Sequence, residues 1–212
     1  MLDNSHSNPR YGRDAPSMPH QPAPQFATAI LGREQEIEQV LALLDNPDVR
    51  VLTLLGPGGV GKTRLAVEAM QAASGEFAHG ACFVSLAPVR EPALVPFAVA
   101  QALGVQDSGS VPVTAILADW ARPRHLLLVL DNMEQVVDAA FPWLAELLGS
   151  CPRLKVLATS RIALDIAGEQ RLRVLPLAVP GPHAIDRLDR YASIRLFAQR
   201  ACEVRSGFDL DG

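Results

Sequence analysis

The sequence lacks any apolar run as long as the roughly 18 to 20 residues that a membrane-spanning helix requires. Its polar start also lacks the apolar core of a signal peptide, so we expect no membrane contact and a cytoplasmic location. Basic residues are few, since 19 Lys and Arg stand against 23 Asp and Glu for a formal charge of -4. Domains that bind nucleic acid commonly carry a basic face, and we therefore expect no direct nucleic-acid contact by this chain.

Cysteine is scarce as well. The three cysteines are an odd number without close spacing, at Cys82, Cys151 and Cys202. This argues against a disulfide framework or a zinc site and favours buried thiols. Because 49% of the 212 residues are hydrophobic and 20% are charged, the chain can bury a sizeable core as one principal domain with appendages.

Composition divides the chain into three parts. Residues 1–26 are rich in Pro, Asn, Ser and His without an apolar period, which predicts a disordered tail or linker. Residues 27–178 alternate strand-like apolar runs with helical segments, which is typical of an α/β domain with parallel strands joined by right-handed crossovers. Residues 179–212 hold a Pro-Gly-Pro linker and an amphipathic helix over 191–205. We interpret them as the start of an incomplete helical domain.

Apolar periodicity places the individual elements of the middle part. Strands are predicted over 51–55, 81–86, 125–130, 155–159 and 171–175. Helices are predicted over 34–44, 63–74, 92–103, 114–121 and 141–148. Together they predict a three-layer α/β domain.

The most informative motif joins the first strand to the next helix. It reads Gly56-Pro57-Gly58-Gly59-Val60-Gly61-Lys62-Thr63, which matches the phosphate-loop pattern Gly-x-x-x-x-Gly-Lys-Thr, or Walker A. Glycines let the backbone wrap a polyphosphate, and the helix start adds unpaired N–H donors and its positive dipole end. Lys62 would place a charge on the terminal phosphates, and the Thr63 hydroxyl would coordinate Mg²⁺. With the adjoining Arg64, this segment is predicted to bind a nucleoside triphosphate.

A carboxylate follows the buried third strand. Asp131 lies at the carboxyl edge of the sheet, where open α/β sheets place ligand chemistry, and it can hold Mg²⁺ opposite Thr63. Hydrolysis also needs a group that orients or deprotonates water. The neighbouring Asn132 has an amide, which is a poor base, so we expect slow turnover. Glu134 is the nearest alternative carboxylate, unless it is only an exposed acid in the first turn of a helix.

Three arginines remain to be interpreted. The fourth predicted strand runs into Ser160-Arg161. If this strand lies between the first and the third, Arg161 reaches toward the terminal phosphate and can sense its presence; otherwise it is an exposed loop arginine. Arg122 and Arg124 precede the Asp131 strand. They are either solvated loop residues or groups that act on a neighbouring subunit after ATP-dependent self-association.

These motifs, in this order, resemble the nucleotide-binding domain of STAND ATPases, the signal-transduction NTPases related to the NB-ARC and AAA+ groups. The likeness is greatest to large bacterial transcriptional regulators of the LuxR and AfsR type. It covers about residues 29–205 and is carried by residues 30–34, 56–63, 128–134 and 158–161.

The resemblance implies a P-loop NTPase domain with a five-stranded parallel sheet in the order 5-1-4-3-2. It implies that Gly32 and Arg33 lie near the adenine and ribose of ATP or ADP, and that Arg161 reads the phosphate state. In that family the nucleotide selects open or closed arrangements of this domain and later helical and winged-helix domains. Those domains, a sensor domain and the Gly-Leu-Pro-Leu-type segment that closes over the nucleotide are not in this sequence.

Two functions follow as hypotheses. The leading one is an ATP/ADP-binding regulatory switch with slow or conditional hydrolysis, within a transcriptional regulator; such a switch requires different nucleotide affinities in its two states. The alternative is an AAA+-like oligomeric ATPase enzyme. A GTPase is disfavoured because the sequence has no Asn-Lys-x-Asp motif, and a purely structural fragment would bind no nucleotide.

Overall fold

The computed structural model of the chain describes residues 23–107, 109–181 and 185–204. Most of the predicted tail, and Arg205 at the predicted end of the last helix, lie outside the described residues. In chain order the elements are α1 (Glu34–Asp45), β1 (Val51–Leu55), α2 (Lys62–Ala73), β2 (Ala81–Ser85), α3 (Val95–Ala102), α4 (Val113–Ala121), β3 (Leu126–Asp131), α5 (Val137–Ser150), β4 (Leu154–Ser160), β5 (Glu169–Arg173) and α6 (Ala192–Val204). None of the helices in this part of the chain has the length and apolar composition needed to cross a bilayer.

The five strands form one parallel sheet in the order β2-β3-β4-β1-β5. This is the predicted order 5-1-4-3-2, which is confirmed. Leu55 is in register with Ser160, and Ser85 with Asp131. The carboxyl ends of β1, β3 and β4 therefore meet at one edge of the sheet, which is the edge where Lys62, Asp131 and Arg161 were predicted to act.

Helices cover both faces of this sheet, and β3 shows how the core is divided. Leu126, Leu128 and Leu130 point into a cluster that includes residues of α3, α4 and α5. Leu127 and Val129 point into a second cluster with residues of α1 and α2. Because side chains alternate along a strand, a continuous apolar run supplies both clusters. The predicted three-layer α/β arrangement is confirmed.

Most element bounds lie within one residue of the predictions, and α3, α5 and β5 differ by more. Helix α3 begins at Val95, because residues 92–94 form a separate 3-10 turn. Helix α5 begins at Val137 and continues through Pro142, although a proline near the start of a predicted helix favours a start close to it. Strand β5 covers Glu169–Arg173 instead of 171–175. Most of its residues are exposed because it lies at the edge of the sheet, so its apolar signal is weak. The division of the chain into domains at residues 178 and 179 stays a prediction.

The prediction of buried thiols is correct for two cysteines and wrong for the third. Cys82 and Cys151 are buried, whereas Cys202 is exposed on α6. Burial raises the pKa of the Cys82 thiol to about 12. This thiol is therefore protonated and unreactive in the folded chain at neutral pH.

A buried lysine closes the end of α1 at the amino edge of the sheet. The Nζ of Lys155, in β4, donates to the carbonyl oxygens of Leu44 at 2.6 Å and Asn46 at 2.7 Å. A cation at a helix C-terminus satisfies free carbonyls and complements the helix dipole. Burial lowers the pKa of Lys155. Its role is to hold the fold.

The Thr53 hydroxyl, in the middle of β1, is buried without a hydrogen-bond partner among the described residues. Replacing Thr53 with valine keeps the shape of the side chain and removes an unsatisfied polar group. We expect Thr53→Val to raise the free energy of unfolding by about 1 kcal/mol, measured by urea denaturation. Thr159→Val is the matched control: its hydroxyl makes two hydrogen bonds, so its loss should lower stability. A destabilised Thr53→Val protein would contradict this account.

Candidate nucleotide site

The phosphate loop, Gly56–Thr63, connects the carboxyl end of β1 to the first turn of α2. Gly61 precedes the helix with φ +94°, a left-handed conformation that residues with a side chain rarely adopt. At Gly56 the requirement is space, because a Cβ there would lie 2.5 Å from the carbonyl oxygen of Val174. The loop conformation therefore depends on glycine at both ends, and it presents the start of α2 to a ligand.

Lys62 is a buried cation that the loop itself holds. Its Nζ donates to the carbonyl oxygens of Gly56 at 2.8 Å and Pro57 at 3.0 Å. Burial lowers the pKa of Lys62, and the charges around it act in both directions: Glu134 and Asp131 raise this pKa, whereas Arg161 lowers it. Within the described part of the chain, Lys62 has no ion pair. Its charge is thus available to an anionic ligand.

Asp131 is the centre of a hydrogen-bonded group at the end of β3. It is 4% exposed, and its Oδ1 accepts hydrogen bonds from the Thr63 hydroxyl at 2.7 Å and the Thr159 hydroxyl at 2.6 Å. The Thr159 hydroxyl in turn accepts the backbone N–H of Asn132 at 3.0 Å. The carboxylate is therefore fixed directly beside the first turn of α2.

Thr159 is not among the predicted site residues. It is the next-to-last residue of β4, and this strand lies between the strand that leads into the phosphate loop and the strand that ends in Asp131. The sequence signal that could have identified Thr159 is its place near the carboxyl end of a central strand, together with a hydroxyl that can both donate and accept hydrogen bonds. A hydroxyl at the carboxyl edge of a central strand is suited to orient its neighbours.

The donor set fits Mg²⁺. The Thr63 hydroxyl and the Asp131 carboxylate are hard oxygen ligands, and they lie 2.7 Å apart. Mg²⁺ is usually held by one or two protein oxygens, with phosphate oxygens and waters completing the shell. The described residues contain no group of three or more His, Cys, Asp or Glu that would make an all-protein metal site. The site thus suits a cation that arrives with phosphates.

Glu134 and Arg161 form an ion pair beside the phosphate loop. The Nε of Arg161 lies 3.0 Å from Oε1 of Glu134. The Glu134 side chain is only 15% exposed, so it is not the freely solvated acid of the alternative interpretation. Its Oε2 is buried without a hydrogen-bond partner among the described residues. Its position follows from Asn132, whose φ of +64° turns the chain sharply after β3.

Arg161 also lies beside Gly58 of the phosphate loop. Its terminal nitrogen lies 3.2 Å from the position that a Cβ on Gly58 would occupy. The side chain is 63% exposed, so a ligand can reach it from solvent. The arrangement brings an exposed cation, a carboxylate and the loop backbone together at one point.

Arg33 is buried and ties three segments together. Its guanidinium donates to the carbonyl oxygens of Val60 at 3.0 Å and Leu175 at 2.7 Å, and it pairs with Glu36 at 2.5 Å. The first acceptor belongs to the phosphate loop and the second follows β5. Arg33 therefore fixes the start of α1 against the loop.

A cavity of about 460 Å³ lies between the phosphate loop and the segment before α1. This volume is within the usual range for a site that binds a small molecule or cofactor. Apolar side chains form one wall, and glycine-rich backbone forms the other. We call it the loop cavity; it is lined by Ile30, Leu31, Arg33, Pro57, Gly58, Gly59, Val60, Gly61, Arg64, Pro176, Leu177 and Leu196.

Gly32 lies behind this cavity, against the start of α6. Its φ is +65°, and a Cβ there would lie 2.3 Å from the Cβ of Ala192. The Ser193 hydroxyl, one residue later, donates to the carbonyl oxygen of Ala178 at 2.6 Å. With Leu196 on the cavity wall, α6 is docked where the adenine end of a nucleotide was predicted.

Arg122 and Arg124 lie at the amino end of β3, away from this site. Arg122 pairs with Asp119 at 3.1 Å. The Arg124 guanidinium lies over the ring of Trp120, 4.0 Å from the ring centre, in a cation–π contact. Neither arginine is brought to the site of its own chain.

Comparison with known proteins agrees with this geometry. The family model of the AAA ATPase domain matches residues 29–158. A Mycobacterium tuberculosis protein whose name places it among HTH-type transcriptional regulators is 39% identical over 161 residues, covering 76% of this chain and 17% of that protein. The regulatory protein AfsR of Streptomyces griseus is 34% identical over 143 residues, covering 63% of this chain and 14% of AfsR. The chain thus spans only a small part of the length of these relatives.

A solved structure supports the fold. Cdc6p from Pyrobaculum aerophilum is similar with a TM-score of 0.56 at 19% identity, covering 74% of this chain and 48% of that one. The resemblance inferred from the sequence motifs is confirmed by these relatives and by the sheet order. The chain belongs to the AAA ATPase domain family.

Proposed function

We propose that this chain is an ATP- and ADP-binding regulatory switch module, with slow or conditional ATP hydrolysis, in a transcriptional regulator. One observation carries the proposal: the groups expected to bind phosphate are assembled, whereas Glu134, the carboxylate expected to activate water, is paired with an arginine. Lys62 offers a positive charge to an anion, and the start of α2 offers backbone N–H donors. Glu134, the nearest candidate to activate water, is paired with Arg161.

Binding requires little rearrangement. Phosphate oxygens would replace the two loop carbonyls as acceptors for Lys62, and the N–H groups of the phosphate loop and of the first turn of α2 would donate to the same phosphates. Thr63 and Asp131 would hold Mg²⁺, directly or through its waters. When bound, this cation neutralises charge on the β- and γ-phosphate oxygens.

The difference between ATP and ADP would be detected at Arg161. A γ-phosphate is a stronger partner for its guanidinium than the single carboxylate of Glu134, because phosphate carries more charge and more acceptor oxygens. With ATP bound, Arg161 would move to the phosphate and release Glu134; with ADP bound, the ion pair would remain. A nucleotide can shift a conformational equilibrium only through such differential contacts.

The relatives support the regulatory part of the proposal. Two of them are named as regulators, and this chain matches only a small part of each. We propose that further helical, winged-helix and sensor segments receive the nucleotide signal, and that DNA contact belongs to a part of the protein outside this chain. The AAA+-like oligomeric ATPase remains the alternative. It would need an arginine from a neighbouring subunit, and Arg122 or Arg124 would have to supply it from the amino edge of the sheet.

Calorimetry and single-turnover hydrolysis test the switch. We expect ATP and ADP both to bind, and steady turnover to stay at least about 100-fold below the enzyme median of about 10 per second. Glu134→Gln should keep ATP binding and slow single-turnover hydrolysis about 100-fold, the range of a lost general base. Glu38→Gln, an exposed acid on α1, is the matched control and should change neither.

Two results would contradict the proposal. Turnover of many per second would favour a working ATPase, and an ATP-dependent increase in molecular mass by light scattering would identify it as an oligomer. If neither nucleotide binds, the only remaining hypothesis is that the chain is a purely structural fragment.

A further inference from the structure

We propose that Arg64 is a positioning residue that holds one wall of the loop cavity in place, and that it thereby sets how tightly the site binds the base and ribose of a nucleotide. The inference rests on the proposed nucleotide binding. It assigns Arg64 to the base end of the site, although its place in the sequence, directly after Thr63, would suggest the phosphate end.

The contacts of Arg64 all lead to the segment before α1. One terminal nitrogen donates to the carbonyl oxygen of Thr28 and lies 3.3 Å from the Thr28 hydroxyl. The guanidinium also lies over the ring of Phe26, 5.0 Å from its centre, which is within the range of a cation–π contact. Arg64 thus contacts two residues, Phe26 and Thr28, of a segment that has no helix or strand of its own.

This segment continues directly into the cavity wall. Ile30 and Leu31 follow Thr28 by two and three residues, and both line the loop cavity. Since the segment is not part of the sheet, its position depends on side-chain contacts such as those of Arg64. Loss of the Arg64 contacts would therefore let the wall move away from the base.

Adjacent residues in the first turn of α2 contact different parts of the site. Thr63 donates to Asp131 on the sheet side, and Arg64 donates to Thr28 on the side of the cavity wall. The turn is held by the hydrogen bond from the Leu65 N–H to the Gly61 carbonyl at 2.9 Å. The Thr63 contact with Asp131 and the Arg64 contact with the cavity wall therefore leave the same turn in different directions.

The Nε of Arg64 is buried and has no acceptor among the described residues. A buried donor without an acceptor is costly, and natural proteins tolerate such costs chiefly where function requires them. Lysine would avoid this donor, but it lacks the planar group that can bond Thr28 and stack on Phe26 at once. The choice of arginine is explained by that double contact.

The test compares MgATP with magnesium tripolyphosphate, which has the phosphates but no base or ribose. In calorimetry on the full chain, we expect Arg64→Ala and Arg64→Lys to weaken MgATP binding about tenfold and to leave tripolyphosphate binding within about twofold. Phe26→Ala should act in the same direction with a smaller effect. Arg153→Ala, at an arginine that precedes β4 at the opposite edge of the sheet, should change neither affinity.

Each other outcome overturns the inference. Equal weakening of both ligands would assign Arg64 to the phosphates, and unchanged MgATP binding in both Arg64 variants would reduce it to a structural contact. Phe26→Ala keeps the test valid if an Arg64 variant does not fold. If the unsubstituted chain binds neither ligand, the proposed function itself fails, and this result is distinct from the preceding ones.

Discussion

Lys62→Ala will abolish binding of ATP and ADP. The substitution removes the buried charge that the phosphate loop holds through two backbone carbonyls. Charge-assisted hydrogen bonds contribute about 1.5–3 kcal/mol each. Loss of at least two at the phosphates should therefore cost about 3 kcal/mol or more, or over 100-fold in affinity. Calorimetry with MgATP and MgADP measures this loss, and unchanged affinity would refute the assignment of Lys62.

Lys155 provides a matched control for this experiment. It is also a buried lysine that donates to two backbone carbonyls, and burial lowers its pKa as it does for Lys62. It lies at the other edge of the sheet, at the end of α1. We expect Lys155→Met to lower the melting temperature and to leave nucleotide affinity unchanged. Although the two lysines have the same kind of local bonding, Lys62→Ala should therefore weaken nucleotide binding, whereas Lys155→Met should lower stability.

Gly32→Ala will undock α6 from the site. An added Cβ would lie 2.3 Å from that of Ala192, and the φ of +65° disfavours any side chain at this position by about 1–2 kcal/mol. Because Leu196 of α6 lines the loop cavity, we expect faster amide hydrogen exchange in α6 and weaker ATP binding. Hydrogen exchange detected by mass spectrometry reports the first effect and calorimetry the second.

A compensating substitution separates the two causes. Gly32→Ala combined with Ala192→Gly removes the overlap but keeps the unfavourable φ, and it adds the cost of glycine at the start of a helix. We expect the double variant to recover much of the α6 protection without reaching the unsubstituted chain. Unchanged α6 protection in the single variant would show that this contact does not hold the helix.

The parts of the fold that could be predicted have strong local signals. The run from Leu126 to Leu130 indicates a strand covered on both faces, and the phosphate loop fixes the junction of β1 and α2. The order of the strands required the resemblance, because no local pattern specifies which strands become neighbours. Strand β5 has exposed, charged residues, and its bounds were therefore shifted by two residues.

The candidate site was predictable where one short segment contains the chemistry, and not where distant segments meet. Thr159 acquires its role only when β4 is placed beside β3. The pairing of Arg161 with Glu134, and the bonds of Arg33 to Val60 and Leu175, likewise depend on tertiary structure. A charged residue in a sequence shows that an ionic contact is available, but the fold selects the partner.

The hydrogen bonds of Arg33 limit where the domain can be truncated. The family match ends at residue 158, inside β4, yet the guanidinium needs the carbonyl oxygen of Leu175. A fragment that stopped at residue 158 would lose β5, expose one edge of β1 and deprive a buried cation of an acceptor. We therefore expect an intact AAA ATPase domain to extend at least to Leu175, beyond the boundary that the family match suggests.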